Sequence, residues 1–359
     1  MAEAFINASP TGGSCLDRYS TFIEGKGIAN EELGAMVVNP AGETWNDIHH
    51  LCAESFAKFN GFALHVSYNA MADISAIRVM PFEDLRLYEP DSYGYVGAIA
   101  YHPDWSEEAT RAGKRLKVSA DTIETFDIYN PDKNVVLAQI QGAGGIEFYK
   151  GQVLYITNKG RNVYPLPIYD KVLNELSVDE GISNVKNRNV KNNFLPAGMV
   201  IHKGSHPNNY AELNAEARRA IDRGEAGFSD ALASLQGDTN ACSLLEVTID
   251  YEDEKPEFVP IQVANYDKVF ESTEASTTER IYACFGQEAF YCLRIGKIGF
   301  SGSLIADAKR EYAEQQVKRQ KLLAQTYNEV LKHFAPSIIA PGALIELIPY
   351  VDITTPLTE

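Results

Sequence analysis

The sequence predicts an α+β protein in which a sheet-containing body carries a pair of long helices. Residues 40–163 change from a helical hydrophobic period to the alternating pattern of strands. Two helical segments, from about Ile168 to Asn193 and from about Gln262 to Phe285, are similar in length and bracket an insert of about sixty-five residues. A third helical segment runs from about Ile305 to Phe334. At about 1.5 Å per residue the matched helices would each span roughly 35–40 Å, which suits a stalk with a small domain at its tip.

Composition indicates a globular chain. It has 359 residues, of which 45% are hydrophobic and 23% charged, so two or three subdomains with a large core are expected. Apolar runs fall short of the ~20 residues that cross a bilayer, and Met1–Asp17 lacks the basic and apolar regions of a signal peptide. We therefore expect no membrane association, and a cytoplasmic location as the default. The five cysteines are scattered without a CxxC pair, which favours reduced thiols.

The net charge of −17 argues against one kind of DNA binding. Proteins that enclose a duplex in positive charge obtain much of their affinity by neutralising phosphates. This chain is too acidic for that mode. Its acidity suits solubility alone, or a wall that nucleic acid passes without adhering to it.

Residues 40–163 are predicted to begin with a helix and to continue as strands. Between Glu43 and Asn60 the apolar residues recur every three or four positions, and Gly61 is expected to end this helix. Alternation then predicts a strand at Phe62–Tyr68. Further strands are predicted at Ile74–Val79, Tyr93–Tyr101, Ile123–Tyr129 and Ile146–Thr157. Because the links between them are too short for crossover helices, we expect a mainly antiparallel sheet.

The first long helix has one apolar end and one polar end. Tyr164–Pro167 leads into it, and an apolar stripe follows up to Leu176. Beyond Gly181 the helix is rich in asparagine and polar nearly all round. Such a helix cannot form the centre of a monomeric core. We expect one side to be solvated and the other to pack against like helices.

The insert and the second long helix carry acidic groups. Short strands are predicted at Met199–Ile201 and Leu244–Ile249, and a small amphipathic helix at Asn209–Asp222. An acidic run follows the second strand. In the second long helix Asp267, Glu271 and Glu274 recur with helical spacing, so they form an acidic stripe on one face. A solvated face is the favoured interpretation of this stripe over a divalent-cation site.

The C-terminal third contains a loop, a helix and closing strands. Residues 286–304 have four glycines and hold Arg294 and Lys297. In the long helix that follows, the basic cluster Lys318, Arg319 and Lys321 faces several acids earlier in the helix. One or two strands are predicted at Ile338–Ile353.

Motifs of catalysis are missing from the sequence. It contains no GxxxxGK[ST] phosphate loop and no HExxH zinc motif, and Ser301 does not lie in a GxSxG elbow. We therefore predict no catalytic residue, no metal and no cofactor, and a protein that is not an enzyme.

The order of these features resembles that of the portal proteins of tailed bacteriophages, especially the long-tailed type. The resemblance is carried by Phe59–Asn69 (FNGFALHVSYN), then by Ile77–Phe82 and Leu85–Arg86. Tyr164–Gly204 looks like the first stem helix entering the clip, and Asn265–Phe285 like the second stem helix. Ser301–Gly302, followed by a long helix, looks like the passage from the tunnel loop into the last wing helix. The match covers about residues 40–335, and the ordered set of patterns carries it.

The resemblance implies a portal architecture: an α+β wing, a two-helix stem, a small α/β clip insert and a long wing helix, with a reduced or absent crown. The implied parts are an N-terminal arm (1–39), the wing with a mainly antiparallel sheet (40–163), stem helix 1 (164–193), the clip (194–261), stem helix 2 (262–285), the tunnel loop region (286–304), and the long wing helix with closing strands (305–359).

It also implies a role and partners. About twelve copies would form a ring at one capsid vertex, and double-stranded DNA would be packaged, retained and ejected through its channel without sequence specificity. The implied partners are the terminase large subunit, the head–tail adaptor and the major capsid protein. The protein would reside in the virion after assembly in the host cytoplasm.

Site residues are implied at three places. Arg294 and Lys297 on the tunnel loop would touch DNA phosphates in passing, or else serve as surface charges or subunit contacts. The stripe Asp267, Glu271 and Glu274 would line the channel, or else pack against basic residues of the neighbouring stem. In the clip, whose short strands we expect to pair with the next subunit, an acidic run would contact the terminase or the adaptor: Asp250, Glu252, Asp253 and Glu254.

Two other interpretations stay open. The chain could be another ring component, such as a head–tail connector or adaptor, although these are generally much smaller. It could also be a soluble hydrolase that uses clustered carboxylates brought together only in the fold.

Overall fold

The computed structural model describes residues 2–108, 110–111, 114–115, 117–158, 164–191, 198–202, 245–248, 257–260, 266–296 and 302–352. The chain divides into two compact units. The first, here called the helix unit, comprises Glu3–Gly13 and Val172–Ile281, with Met1. The second, the sheet unit, comprises Ser14–Lys171 and Tyr282–Glu359, with Ala2.

The described elements include runs of helices and runs of strands, which agrees with the predicted α+β class. The helices are α1 Ala2–Ala8, α2 Pro10–Glu24, α3 Glu31–Gly34, α4 Trp45–Phe59, α5 Lys133–Gly142, α6 Leu173–Lys191, α7 Tyr266–Cys284, α8 Glu288–Arg294 and α9 Gly302–Leu331. The strands are β1 Gly61–Tyr68, β2 Ile74–Met80, β3 Leu85–Leu87, β4 Ala98–Tyr101, β5 Thr110–Arg111, β6 Lys114–Arg115, β7 Glu124–Ile128, β8 Gln152–Thr157, β9 Gly198–His202, β10 Leu245–Thr248 and β11 Glu257–Pro260. Short 3-10 turns lie at Phe82–Asp84 and Ile168–Val172.

The sheet unit is built on six strands in the order β2-β1-β8-β7-β4-β3. Four of the five neighbouring pairs are antiparallel, which confirms the predicted sheet type. The pair β7–β8 is parallel, and α5 lies between these two strands in the chain. The expectation that the links are too short for a crossover helix is therefore wrong at this one connection. The predicted strand Ile146–Thr157 is correspondingly shorter and begins at Gln152.

Helix α4 forms where the sequence predicts it because both of its ends are capped. Thr44 accepts a hydrogen bond from the Asp47 amide, and the Asp47 carboxylate accepts one from the Thr44 amide, which makes a capping box. At the other end the left-handed residue is Asn60, with φ 59°, and not the following glycine. The buried face of α4 then meets α9, with the rings of Trp45 and Tyr327 5.8 Å apart.

The core between α4 and α9 contains a neutral histidine. His49 is buried, and its two ring nitrogens lie 3.2 Å from the Tyr327 hydroxyl and 2.8 Å from the Glu24 carbonyl oxygen. Burial lowers the pKa of His49 and raises that of Tyr327 well above its usual value. Both groups therefore act as uncharged hydrogen-bonding partners that fix the distance between the two helices.

One region of the sheet unit contains a helix that was not predicted, and another contradicts a prediction. The N-terminal segment forms helix α2, whose buried side chains include Tyr19 and Phe22, although its periodicity in the sequence is weak. The strands predicted at Ile338–Ile353 are wrong over the described part, which ends at Asp352. That part holds one isolated bridge, between Leu347 and Ile28, within a segment of turns.

The helix unit contains α1, α6, most of α7, and a three-stranded sheet in the order β10-β9-β11. Strand β9 pairs parallel with β10 and antiparallel with β11. The predicted strands near Met199 and Leu244 are confirmed, and β11 was not predicted. The small helix predicted at Asn209–Asp222 lies outside the described residues. Of the helices that the structure describes, none is long and apolar enough to cross a membrane.

Candidate functional site

The helices α6 and α7 of the helix unit are joined by two ion pairs. Lys186 pairs with Glu274, and Arg280 Nη1 lies 3.1 Å from Glu175 Oε1. The more N-terminal residue of α6 thus pairs with the more C-terminal residue of α7, so the two helices run antiparallel. The side chains are largely solvated, and each pair is worth only about 0.2–1 kcal/mol. The two ion pairs therefore fix the register of α6 against α7 but contribute little to the stability of the protein.

Only a narrow strip of each helix is buried. In α6 the buried positions after Val172 are Leu176, Asp179 and Ile182, and in α7 the buried positions of the helix unit are Thr277, Thr278 and Ile281. The remaining described positions are partly or fully exposed, and they include Val178, whose side chain is 40% exposed. Most of the described surface of this helix pair is therefore not buried within the chain.

A buried carboxylate fixes the start of α2 on α6. Asp179 accepts hydrogen bonds from Ser9 Oγ at 2.6 Å and from Thr11 at 3.0 Å through both its amide and its hydroxyl. Ser9 Oγ in turn accepts a hydrogen bond from the Gly12 amide at 2.9 Å. The first turn of a helix has unpaired amides and a partial positive charge, so a carboxylate is stabilised there. A Cβ atom on Gly12 would lie 2.4 Å from Leu176 Cδ2, so a larger residue here would require the Leu176 side chain to move.

The three residues of the predicted acidic stripe have different surroundings. Glu274 pairs with Lys186 of its own chain. One of the two roles expected for the stripe was packing against basic residues of a neighbouring stem, and this pair lies within a single chain. Glu271 is exposed and forms no ion pair within the described part of the chain. For Asp267 the backbone belongs to α7, and its side chain lies outside the description.

Arg294 lies at the end of a helix and not on a loop. It is the last residue of α8, a favourable place for a cation because of the helix dipole, and its Nη1 donates to the Tyr282 hydroxyl at 3.4 Å. The prediction that residues 286–304 form one loop is therefore wrong for residues 288–294. Lys297 lies outside the described residues.

Helix α8 is held by Gln287, which the sequence analysis did not single out. This side chain is fully buried. Its Nε2 donates to the Cys15 carbonyl at 2.9 Å and to the Tyr312 hydroxyl at 2.8 Å, and its Oε1 accepts from Arg18 Nη1 at 2.8 Å. One amide thus connects α2, α8 and α9.

The acidic residues predicted to contact a partner lie outside the described residues. They are Asp250, Glu252, Asp253 and Glu254. Their role stays a prediction.

Within the described residues, Lys318 and Lys321 of α9 form no ion pair with the acids earlier in the helix. Together with the end of β8, they line a cleft of about 570 Å³ in the sheet unit. In the described residues, the ion pair of this part of α9 joins Arg310 to Glu314 at 3.6 Å, while Lys318 and Lys321 form none. The sequence shows that these basic residues form a cluster. Their helical spacing does not show that the end of β8 lies on the other side of the cleft.

The pairing of Lys186 with Glu274 can be tested by reversing its charges. K186E places two acids together and is expected to lower the free energy of unfolding by about 0.5–1 kcal/mol, and K186E/E274K is expected to regain most of the loss. Urea unfolding of the wild type, K186E, E274K and K186E/E274K measures the coupling. If the double variant regains nothing, the partner of Glu274 in solution is another group, such as a basic residue of an adjoining copy.

The sequence matches no model of a known protein family and no curated protein. In structure, the chain is similar to one in the virion of a native gene transfer agent particle, with a TM-score of 0.54 and 15% identity, over 97% of this chain and 82% of that chain. It is also similar to a chain in the neck of the native particle computed with C12 symmetry, with a TM-score of 0.53 and 15% identity, over 96% and 81% of the two chains.

A third match is an HK97-family phage portal protein from Corynebacterium diphtheriae. Here the identity is 10%, the coverage is 84% of this chain and 86% of that chain, and the TM-score of 0.33 is too low to support an argument. The two matches with the gene transfer agent particle thus show that this chain shares its fold with chains of a virion and of its neck.

Proposed function

We propose that this chain is the subunit of a portal-type ring, which forms the channel for double-stranded DNA at one vertex of a phage-like capsid. The observation that supports this most is the fold, which is shared over nearly the whole chain with proteins of a virion and its neck. The C12 symmetry used for that neck supports a ring of about twelve copies. The virion is accordingly the proposed location.

The parts of the ring follow the division stated for the sequence. Residues 40–163 and the helix α9 form the wing, α6 and α7 form the stem, and residues 194–261 form the clip. The antiparallel pairing of α6 with α7 and their sparse burial support this assignment, because stem helices complete their packing against neighbouring copies. The clip is the proposed contact for the terminase large subunit and later for the head–tail adaptor, and the wing is the proposed contact for the major capsid protein.

The charge of the chain suits a channel wall. Twelve chains of −17 carry about −204, and DNA carries one charge per ~1.7 Å of its axis. At physiological salt the Debye length is about 8 Å, so acidic groups on the wall repel the duplex only at close range. Glu271 is a candidate for such a group, and Arg294 is a candidate for a passing contact with phosphate. The wall would thereby keep DNA from adhering while it moves.

Native mass spectrometry and negative-stain electron microscopy of the purified chain test the ring. Twelve copies of 39.7 kDa give about 476 kDa, and the images should show a central hole. A neighbouring ring number is also compatible with the proposal. A monomer or dimer at micromolar concentration, without rings, would contradict it, and turnover of a hydrolysable ester would favour the enzymatic alternative.

A substitution on α6 tests whether the helix pair contributes to assembly. V178D adds a charge to an exposed apolar position and is expected to reduce the ring fraction at least tenfold, because it places the charge in a contact between copies. V37D is the matched control, since Val37 is 53% exposed and lies outside α6 and α7. If V37D breaks the ring and V178D does not, the contact between copies lies in the sheet unit and the stem assignment fails.

A further inference from the structure

The cleft beside α9, here called the basic cleft, concentrates positive charge in an acidic protein. Lys318, Arg319 and Lys321 line it, as do the amide side chains of Gln315, Gln325 and Asn158. No acidic residue lines it among the residues that the structure describes. In a chain with a net charge of −17, a cavity of about 570 Å³ that is lined by three cations and no acid is a place where an anion would be stabilised.

The cations of the basic cleft have unused hydrogen-bonding capacity. Lys318 and Lys321 are exposed and form no ion pair within the described ranges. The Arg319 guanidinium lies 5.2 Å from the ring centroid of Tyr19, and its Nη1 donates to the Gln315 carbonyl at 3.1 Å and to Gln316 Oε1 at 2.9 Å. These contacts hold the guanidinium in place, while Arg319 Nε is buried without a hydrogen-bond partner.

The wall opposite α9 is also fixed. Asn158 follows β8, its amide donates to the Asn60 carbonyl at 3.1 Å, and its Nδ2 donates to Asn60 Oδ1 at 3.2 Å. The cleft is therefore bounded on one side by a long helix and on the other by a tethered strand end. Both walls belong to the sheet unit, so the cavity is present in a single chain.

We propose that the basic cleft binds a phosphate group. A phosphate presents several oxygens and up to two negative charges, which suits a site with separate ammonium, guanidinium and amide donors. The same chemistry is offered by the free anion and by the phosphodiester backbone of a nucleic acid, which amide side chains also contact. This proposal rests on the cleft alone and does not require the portal-type ring.

The first arm of the test uses inorganic phosphate. Phosphate at 20 mM, compared with sodium chloride of equal ionic strength, is expected to raise the melting temperature of the wild type by a few degrees, because a ligand that binds only the folded state stabilises it. K318Q/K321Q is expected to lose this shift. The matched control is K309Q/K332Q, which removes two exposed lysines from outside the cleft and should retain it.

The second arm uses a 20-base-pair duplex labelled with a fluorophore, titrated at several salt concentrations. If the cleft takes a backbone phosphate, K318Q/K321Q lowers the slope of log affinity against log salt by about 0.9, the value for one phosphate contact, and the control does not. If phosphate stabilises the protein and the duplex shows no difference between the variants, the ligand is the free anion. Both results support a phosphate site.

The proposal is overturned if K318Q/K321Q responds to inorganic phosphate and to duplex as the wild type does. It is also overturned if that variant changes only the size of the assembly, since the cleft would then hold an acidic segment of a second copy. Circular dichroism of each variant establishes that it is folded before the phosphate and duplex experiments are interpreted.

Discussion

Replacing Asp179 by alanine is expected to lower the free energy of unfolding of the helix unit by about 3 kcal/mol. The substitution removes the acceptor of three hydrogen bonds at once, from the Ser9 hydroxyl and from the amide and hydroxyl of Thr11. Loss of a helix cap alone costs about 1 kcal/mol, and a buried donor left without its acceptor adds further cost. The start of α2 should then detach from α6.

Hydrogen exchange locates this effect. In D179A the amides of Thr11 and Gly12 should exchange faster, while those of β1 keep their protection. D179N retains an acceptor oxygen and should lose about half as much stability as D179A, and E180A, on the neighbouring and less buried acid of the same helix, serves as the control. Equal stability of D179A and E180A would show that the buried carboxylate does not cap α2.

Replacing Gln287 by leucine is the second change with a large expected effect, a loss of about 3 kcal/mol from the sheet unit. Leucine has a similar size but can satisfy neither the Cys15 carbonyl nor the Arg18 guanidinium. Arg18 would remain against the Phe290 ring, 4.7 Å from its centroid, without an acceptor for its Nη1. Leaving a partly buried guanidinium without this acceptor, and the buried Cys15 carbonyl without this donor, is costly, so α8 should lose its attachment.

Thermal and urea unfolding, followed by the fluorescence of the sheet unit, measure this loss. Q287E keeps an acceptor for Arg18 but removes the donors to Cys15 and Tyr312, so it should lie between the wild type and Q287L. Q141L makes the same replacement at an exposed glutamine of α5 and should change stability by less than about 0.5 kcal/mol. If Q287L also loses less than about 0.5 kcal/mol, water must take over the hydrogen bonds of the Gln287 amide.

The elements that the sequence predicts correctly are those with strong local signals. For α4 the apolar period is joined by the capping pair Thr44 and Asp47. In α2 the buried residues recur every three or four positions, but Gly12 and Gly13 near its start weaken the pattern. Helix α5 adjoins the left-handed turn at Gly144 and Gly145, so its short apolar face was interpreted as part of a link.

The hydrogen-bond and ion-pair partners of the site residues could not be predicted, because they come from distant parts of the chain. Asp179 caps a helix that begins 169 residues earlier, at Pro10, and Glu274 pairs with a lysine 88 residues away. The spacing of Asp267, Glu271 and Glu274 predicts a row along a helix, and α7 contains all three, but the spacing contains no information about the group opposite. For the same reason the basic cluster of α9 was recognised as a cluster and not as one wall of a cavity.

The position of β8 between β1 and β7 has a consequence for synthesis of the chain on the ribosome. The hairpin β1–β2 and the meander β3–β4–β7 share no ladder until β8 has been made. A nascent chain that ends before Gln152 therefore presents two open edges, each able to pair with another nascent chain. A pause in translation before β8 is complete should therefore promote aggregation more than an equal pause after Thr157, the last residue of β8.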